Sequence, residues 1–261
     1  MTLAFMEKFF GLDGRVALVT GASGGIGQAL AHGLAMAGAT VALNGRSVEK
    51  LAAVHAAIAA DGGQADSFPS DLADLTGIDG LVEAVTHRLG HVDILVNSAG
   101  INKREPIHEV SPDTYEQITN LNLRAVYFLS QAVSRTMARH GGGKIIHIGS
   151  LNAAFGLGTI SVYGLTKGAI VQLTRVQAVE WAPLNIQVNC LCPGFIETEL
   201  TMPLWQDERK RRWILDRVPA KRPGQPEDLV GMTIYLASRA SDFTTGQAIY
   251  VDGGFLAGGQ W

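Results

Sequence analysis

Val16-Ala17-Leu18-Val19-Thr20-Gly21-Ala22-Ser23-Gly24-Gly25-Ile26-Gly27 passes from an apolar, β-rich run through a glycine-rich turn into a helical pattern. Gly21, Gly25 and Gly27 stand at that junction, where a turn must bring backbone close to a ligand without interference from a Cβ. The helix that follows presents free N–H groups and the positive end of its dipole, a suitable seat for a pyrophosphate. Ser23 and Ile26 ride on the same loop and are read with the glycines as cofactor contacts. The spacing G-x-x-x-G-x-G differs from the G-x-G-x-x-G dinucleotide fingerprint. A tight strand–helix turn without a ligand is therefore the alternative, and the loop's place at the first βα junction favours binding.

Outward from this loop, short β-rich runs alternate with longer helical stretches. Residues 16–19, 40–43, 65–68, 94–96, 145–148, 186–191 and 248–251 read as seven strands. Residues 25–37, 48–60, 77–89, 111–139, 161–181 and 226–238 read as helices, with Ser111-Pro112-Asp113 and Gln225-Pro226-Glu227 as starts. Strands separated by helices imply right-handed crossovers and a sheet covered on both faces. The expected architecture is α/β: a single doubly wound Rossmann domain over residues 1–261, with a seven-stranded, mainly parallel sheet. Residues 197–218, mixed in composition and following Pro193-Gly194, are the candidate for a substrate lid.

The 261 residues are 47% hydrophobic, enough for a sizeable core, and the formal net charge of −3 argues against a nucleic-acid-binding surface. Glu7 and Lys8 interrupt the apolar N-terminus, so neither a signal peptide nor a membrane span is expected, and Phe5, Phe9 and Phe10 should pack on the domain edge. Cys190 and Cys192 are read as buried reduced thiols of a cytoplasmic protein, and no metal site is expected.

The second strand runs into Asn44-Gly45-Arg46-Ser47. In a dinucleotide fold an acid near this tip binds the adenosine ribose, and an Asp there would repel the 2′-phosphate of NADP. Asn44 leaves the acid out, while Arg46 can form charge-assisted bonds to that phosphate, with Ser47 beside it. NADP is favoured, with NAD left possible. Asp71-Leu72, after the third strand, either meets the adenine or caps the next helix.

Tyr163 and Lys167 lie four residues apart in a helical stretch, so both project from one face about a turn apart. A phenol can accept the proton of an alcohol as hydride leaves carbon, or return it to a developing alkoxide. A neighbouring ammonium and a positive nicotinamide favour the phenolate that base work needs. Ser150 ends an apolar run and can hold the substrate oxygen, or merely cap the strand end. No nucleophile-elbow sequence surrounds it, which weakens a hydrolase reading.

Together these stretches resemble the short-chain dehydrogenase/reductase family from Gly14 to Gly254. The resemblance rests on Thr20-Gly21-x-x-x-Gly25-x-Gly27, Asn97-Ser98-Ala99-Gly100, Asn122, Ser150, Tyr163-x-x-x-Lys167, Pro193-Gly194 and Val251-Asp252-Gly253-Gly254. It implies that Asn122 serves a proton relay behind Lys167, that Lys167 also binds the nicotinamide ribose, and that Asn122, Ser150, Tyr163 and Lys167 form a catalytic tetrad. It further implies cofactor contacts from Asn97, Ala99, Gly100, Pro193, Gly194, Ile196 and Thr198, and a homotetramer paired through the long helices. The chain departs from the family where Ser98 replaces a second asparagine and Gly149 replaces a frequent serine, which puts local loop packing in question.

Arg104, Asn152 and Trp205 are the substrate candidates, and such polar and basic loops suit an anionic small molecule. Leu43-Asn44-Gly45-Arg46 and the segment Ala99 to Arg104 resemble the gluconate 5-dehydrogenases of the family, pointing to a sugar acid, sugar or polyol. A 3-oxoacyl-thioester (acyl-carrier-protein) reductase is the nearest alternative. A non-catalytic dinucleotide sensor would leave the tetrad unexplained, and a sugar-nucleotide epimerase should carry a larger C-terminal substrate region.

Overall fold

Val16–Thr20 (β1) is buried along its whole length because both faces of the strand are covered. Its side chains alternate: Ala17 and Val19 enter one core with Leu30, Leu34, Val41 and Leu43, and Val16 and Leu18 enter another with Leu95, Leu129 and Ile145. The computed structural model describes residues 2–258. Met1 and residues 259–261, including Trp261 of the tail, lie outside that range.

The remaining strands are Thr40–Gly45 (β2), Gln64–Pro69 (β3), Ile94–Asn97 (β4), Gly143–Ile148 (β5), Ile186–Pro193 (β6) and Ala248–Val251 (β7). They form one seven-stranded sheet in the order β3-β2-β1-β4-β5-β6-β7, every pairing parallel. The doubly wound expectation is met, and the sheet is parallel throughout. Strand order reverses at β1, between β2 and β4. Ligands in such sheets bind in the crevice outside the carboxyl ends at that switch point, where Thr20 and Asn97 leave adjacent strands.

The long helices are Gly25–Met36 (α2), Val48–Ala60 (α3), Ile78–Leu89 (α4) and Ser161–Trp181 (α7), preceded by a short N-terminal helix Leu3–Phe10 (α1). Of the three phenylalanines expected at the domain edge, Phe9 and Phe10 are half-buried, but Phe5 is 46% exposed. The expected single helix over 111–139 is instead Pro112–Thr119 (α5) and Ala125–Arg139 (α6), joined by a wider π turn at Asn120–Arg124. The cause is Asn122, whose side chain is drawn out of the helix to pair with the backbone of Ile101.

Residues 197–218 hold two helices, Met202–Gln206 (α8) and Glu208–Arg217 (α9), where the sequence suggested only a mixed segment. They fold over their own small core of Leu204, Trp205, Ile214 and Val218, closed by Leu151 and Phe255. The last helix begins with a 3-10 turn at Pro226–Leu229 before Val230–Ala237 (α10), because Pro226 and the Gln225–Asp228 capping box tighten its start. No helix among the described residues is long and apolar enough to cross a membrane.

Candidate active site

The glycine loop is shaped by contact and by space. A Cβ at Gly21, whose φ is +65°, would meet the Ala99 backbone at 2.9 Å, so β1 and β4 approach here as only glycine permits. Thr20 locks the two strand ends together: its hydroxyl accepts from the N–H groups of Ser98 at 3.0 Å and Ala99 at 3.1 Å. A Cβ at Gly24 would meet nothing within 4 Å, so backbone faces open space at the start of α2. That space is a cavity of about 390 Å³, lined by Gly21, Ser23, Gly25, Ile26 and Gly27 at this end and by Ser150, Tyr163 and Lys167 at the other. A dinucleotide fits its chemistry: backbone donors at a helix N-terminus in the middle, a basic end, and a phenol–ammonium end. A larger groove of about 690 Å³ between α2, α3 and α10 shares only Gly25 with this cavity and holds none of the catalytic candidates.

At the basic end Asn44 is 1% exposed and donates to Phe68 O at 3.0 Å and Ser70 Oγ at 2.8 Å, bracing the ends of β2 and β3. Arg46 lies on the cavity wall with solvent beyond it. Ser47 does not line the cavity; its Oγ accepts from the Lys50 N–H at 3.2 Å and caps α3. The demand for an N-cap at the first turn of α3 explains that diversion. Lys50 occupies the wall instead, and its sequence position gave no hint of this. Asp71 and Leu72 line the same end; one Asp71 oxygen accepts from Ala73 N at 3.0 Å in a local bond, while the next helical turn, Leu75–Gly77, is capped not by Asp71 but by Asp74, whose carboxylate accepts from Thr76 N.

At the catalytic end α7 projects Tyr163 and Lys167 toward the tip of β5. Lys167 Nζ donates to Ile148 O at 2.7 Å and stands 5.5 Å from the centroid of the Tyr163 ring. Ser150 is 7% exposed; its Oγ accepts from Asn152 N at 3.1 Å and donates to Asn152 Oδ1 at 3.2 Å. Asn152, a substrate candidate by sequence, is thereby spent on positioning the serine, and its amide is held by Phe155 O at 3.2 Å. Asn122 Oδ1 accepts from Ile101 N, and its Nδ2 donates to Ile101 O, both at 2.8 Å. A Cβ at Gly100 would sit 3.3 Å from Asn122 Oδ1 and 4.0 Å from Lys167 Nζ, so that glycine keeps the way between them open.

Asn97, expected to meet the cofactor, turns its side chain beneath the site. Its Nδ2 donates to Ser130 Oγ at 3.0 Å and to His147 Nδ1 at 3.1 Å, and His147 Nε2 donates to Gln177 Oε1 at 2.8 Å. Burial lowers the His147 pKa to about 4, against the support of Gln177, and the Lys167 charge lowers it further. The ring is therefore neutral near pH 7 and serves as a strut between β5 and α7.

The departure at Gly149 has a steric reason. A Cβ there would meet Cys192 Sγ at 2.6 Å and Cys190 Sγ at 2.7 Å, so the two thiols fill the space a serine would take. Both cysteines are free and buried, their sulfurs 3.6 Å apart; the hydrogen bond to Cys192 and burial push the Cys190 thiol up. Among the described residues no cluster of three or more His, Cys, Asp or Glu could hold a metal.

Pro193 at the end of β6 and Gly194, Ile196 and Thr198 after it line the cavity, joined by Glu199, Leu200 and Thr201, which the motifs did not flag. Trp205 is not presented to this space: it is 9% exposed in the core under α8 and α9, and its Nε1 donates to Thr201 Oγ1 at 3.3 Å. Arg104 remains solvent-accessible but partly desolvated, which lowers its pKa, while its proximity to Tyr163 raises it. Of the three substrate candidates it is the charged one, and it stands outside the residues that line the cavity.

The model of the family described as enoyl-(acyl carrier protein) reductase matches residues 21–256. A gluconate 5-dehydrogenase of Gluconobacter oxydans (strain 621H) is 43% identical over 94% of this chain and 96% of its own length. A 2-dehydro-3-deoxy-D-gluconate 5-dehydrogenase of Dickeya dadantii (strain 3937) is 42% identical, covering 95% and 98%. The crystal structure of a gluconate 5-dehydrogenase from Burkholderia cenocepacia J2315 in complex with NADP and tartrate superposes with a TM-score of 0.93 at 42% identity, covering 96% and 98%.

Proposed function

Since the chain belongs to the short-chain dehydrogenase/reductase family, we propose that it is an NADP-dependent oxidoreductase interconverting a secondary hydroxyl and a ketone on a sugar acid. The observation that carries this reading is a single cavity joining Arg46 at one end to Ser150, Tyr163 and Lys167 at the other. The relatives act, by name, at carbon 5 of gluconate-type acids, and the NADP-bound neighbour supports the same cofactor here.

Bound in this cavity, NADP supplies the hydride acceptor, and NADPH the donor. Ser150, its oxygen oriented by Asn152, donates to the substrate oxygen and aligns it with Tyr163. Tyr163 takes the hydroxyl proton in oxidation and returns it in reduction. Lys167, anchored on Ile148 O, holds positive charge beside the phenol, and Asn122 holds the Gly100–Ile101 turn open behind it. Arg104 anchors the substrate carboxylate, because a partly desolvated guanidinium near the reacting phenol binds an anion better than one in bulk water. Residues 197–218 form the lid.

A homotetramer is supported by the aromatic and aliphatic side chains exposed on α5, α6 and α7, including Tyr115, Tyr127, Phe128, Val176 and Val179; a monomer by light scattering at micromolar concentration overturns it. Free thiols agree with a cytoplasmic setting. The deciding experiment is a rate survey with NADPH and NADH over 5-keto sugar acids, neutral ketoses and 3-oxoacyl thioesters. NADPH-linked reduction of a keto sugar acid is expected, and faster turnover of thioesters would replace this reading with the carrier-protein alternative.

A further inference from the structure

Lys50 has no place in the motifs that identify the site, yet it lines the same cavity as Arg46, four residues before it in the chain. It stands on the first turn of α3, one turn beyond the Ser47 cap. Its Nζ lies 3.3 Å from Glu199 Oε2, a partner 149 residues away at the start of the lid segment. The two side chains are 58% and 86% exposed. Such exposed single pairs hold weakly and exchange readily. Glu199 follows Thr198 directly, so the pair ties the adenosine end of the cavity to the segment that borders its catalytic end.

A ribose 2′-phosphate carries more charge than a carboxylate and offers more acceptor oxygens, so it outcompetes one carboxylate for the same ammonium. Arg46 alone is a single planar cation, whereas two cations approaching from the tip of β2 and the first turn of α3 flank one anion. We propose that Lys50 is the second cation for the 2′-phosphate of NADP, and that Glu199 is its displaceable stand-in when that phosphate is absent. Cofactor preference is then set by an exchange: Lys50 leaves Glu199 for the phosphate, and the released carboxylate weakly opposes the phosphate it faces. This inference rests on the NADP reading above.

The test is calorimetric titration of adenosine 2′,5′-bisphosphate and adenosine 5′-monophosphate, which contain no nicotinamide and report binding without turnover. The wild-type protein should prefer the bisphosphate. Lys50→Gln should weaken the bisphosphate by about fivefold to tenfold and leave the monophosphate unchanged. Glu199→Gln should tighten the bisphosphate about twofold to threefold, again without effect on the monophosphate. In the Lys50→Gln background Glu199→Gln should give less than this gain, because no lysine remains to be released. A wild-type protein without preference for the bisphosphate overturns the NADP reading and this inference with it. A preference fully retained in Lys50→Gln, or an equal loss for both nucleotides, overturns the inference alone.

Discussion

Behind Tyr163 the side chains of Thr20, Asn97, Asn122 and His147 all end on partners inside the protein, whereas Glu199 and Leu200 on the cavity wall, and Arg209 and Arg212 further along on α9, reach solvent. The floor is built from buried polar groups, each of which costs free energy if unpaired, so its geometry is tightly specified. The cover is held by Phe195, Trp205, Trp213 and Phe255 in one small aromatic core, with weak ion pairs outside it. Non-directional contacts tolerate displacement that hydrogen bonds do not. The proposed function assigns proton transfer to the floor and substrate choice to the cover and its flanking loops, a division that four experiments probe.

The largest effect is expected on the floor. Tyr163→Phe should lower kcat by about a thousandfold, within the usual range for a positioned acid/base, while NADPH binding is retained; near-wild-type turnover in folded, cofactor-binding protein would remove the phenol from the mechanism. The next concerns the strut below it. The folded-state pKa of His147 is depressed to about 4 from 6.5, so its contribution to stability is fully present above pH 6.5 and is lost as pH falls toward and below 4. The loss amounts to about 3 kcal/mol. Denaturant midpoints from pH 7 to 4 should fall less steeply in His147→Asn, and equal slopes would contradict the assignment.

On the opposite side, Arg104→Gln should raise KM for a keto sugar acid about tenfold to hundredfold, as expected for losing a charged hydrogen bond. NADPH affinity should hold. An equal rise for an uncharged ketose would show that Arg104 does not read the carboxylate. The smallest effect tests the fit behind Ser150: Gly149→Ser should destabilise by roughly 1–2 kcal/mol through overpacking. Adding Cys190→Ala and Cys192→Ala should restore part of the melting temperature, whereas no recovery would mean that the thiols are not the obstacle.

Much of the floor was legible because it depends on local spacing. Tyr163 and Lys167 share a helix face, the glycine loop sits at a strand–helix junction, and Arg46 follows a strand whose tip lacks an acid. Where the reading slipped, a side chain had a rival partner invisible in one dimension. Ser47 caps α3, Asn97 braces His147, Asn152 holds Ser150, and Trp205 is buried in the small core of α8 and α9. The break between α5 and α6 escaped notice for the same reason, since Asn122 is drawn to Ile101 from another segment.

The order of residues alone set the alternation of strand and helix, the parallel sheet that this alternation forces, and the chemical types gathered at the carboxyl ends of the strands. Those properties follow from periodicity and short-range spacing. Which polar side chains face the cavity, and which are consumed in holding it, was settled by packing between distant segments. Lys50 reached the wall, Asn97 left it, and Gly149 yielded its space to two thiols 41 and 43 residues further along the chain. The physical reason is that a buried donor or acceptor pairs with whatever the fold brings within about 3 Å, and that neighbour comes from a distant part of the chain.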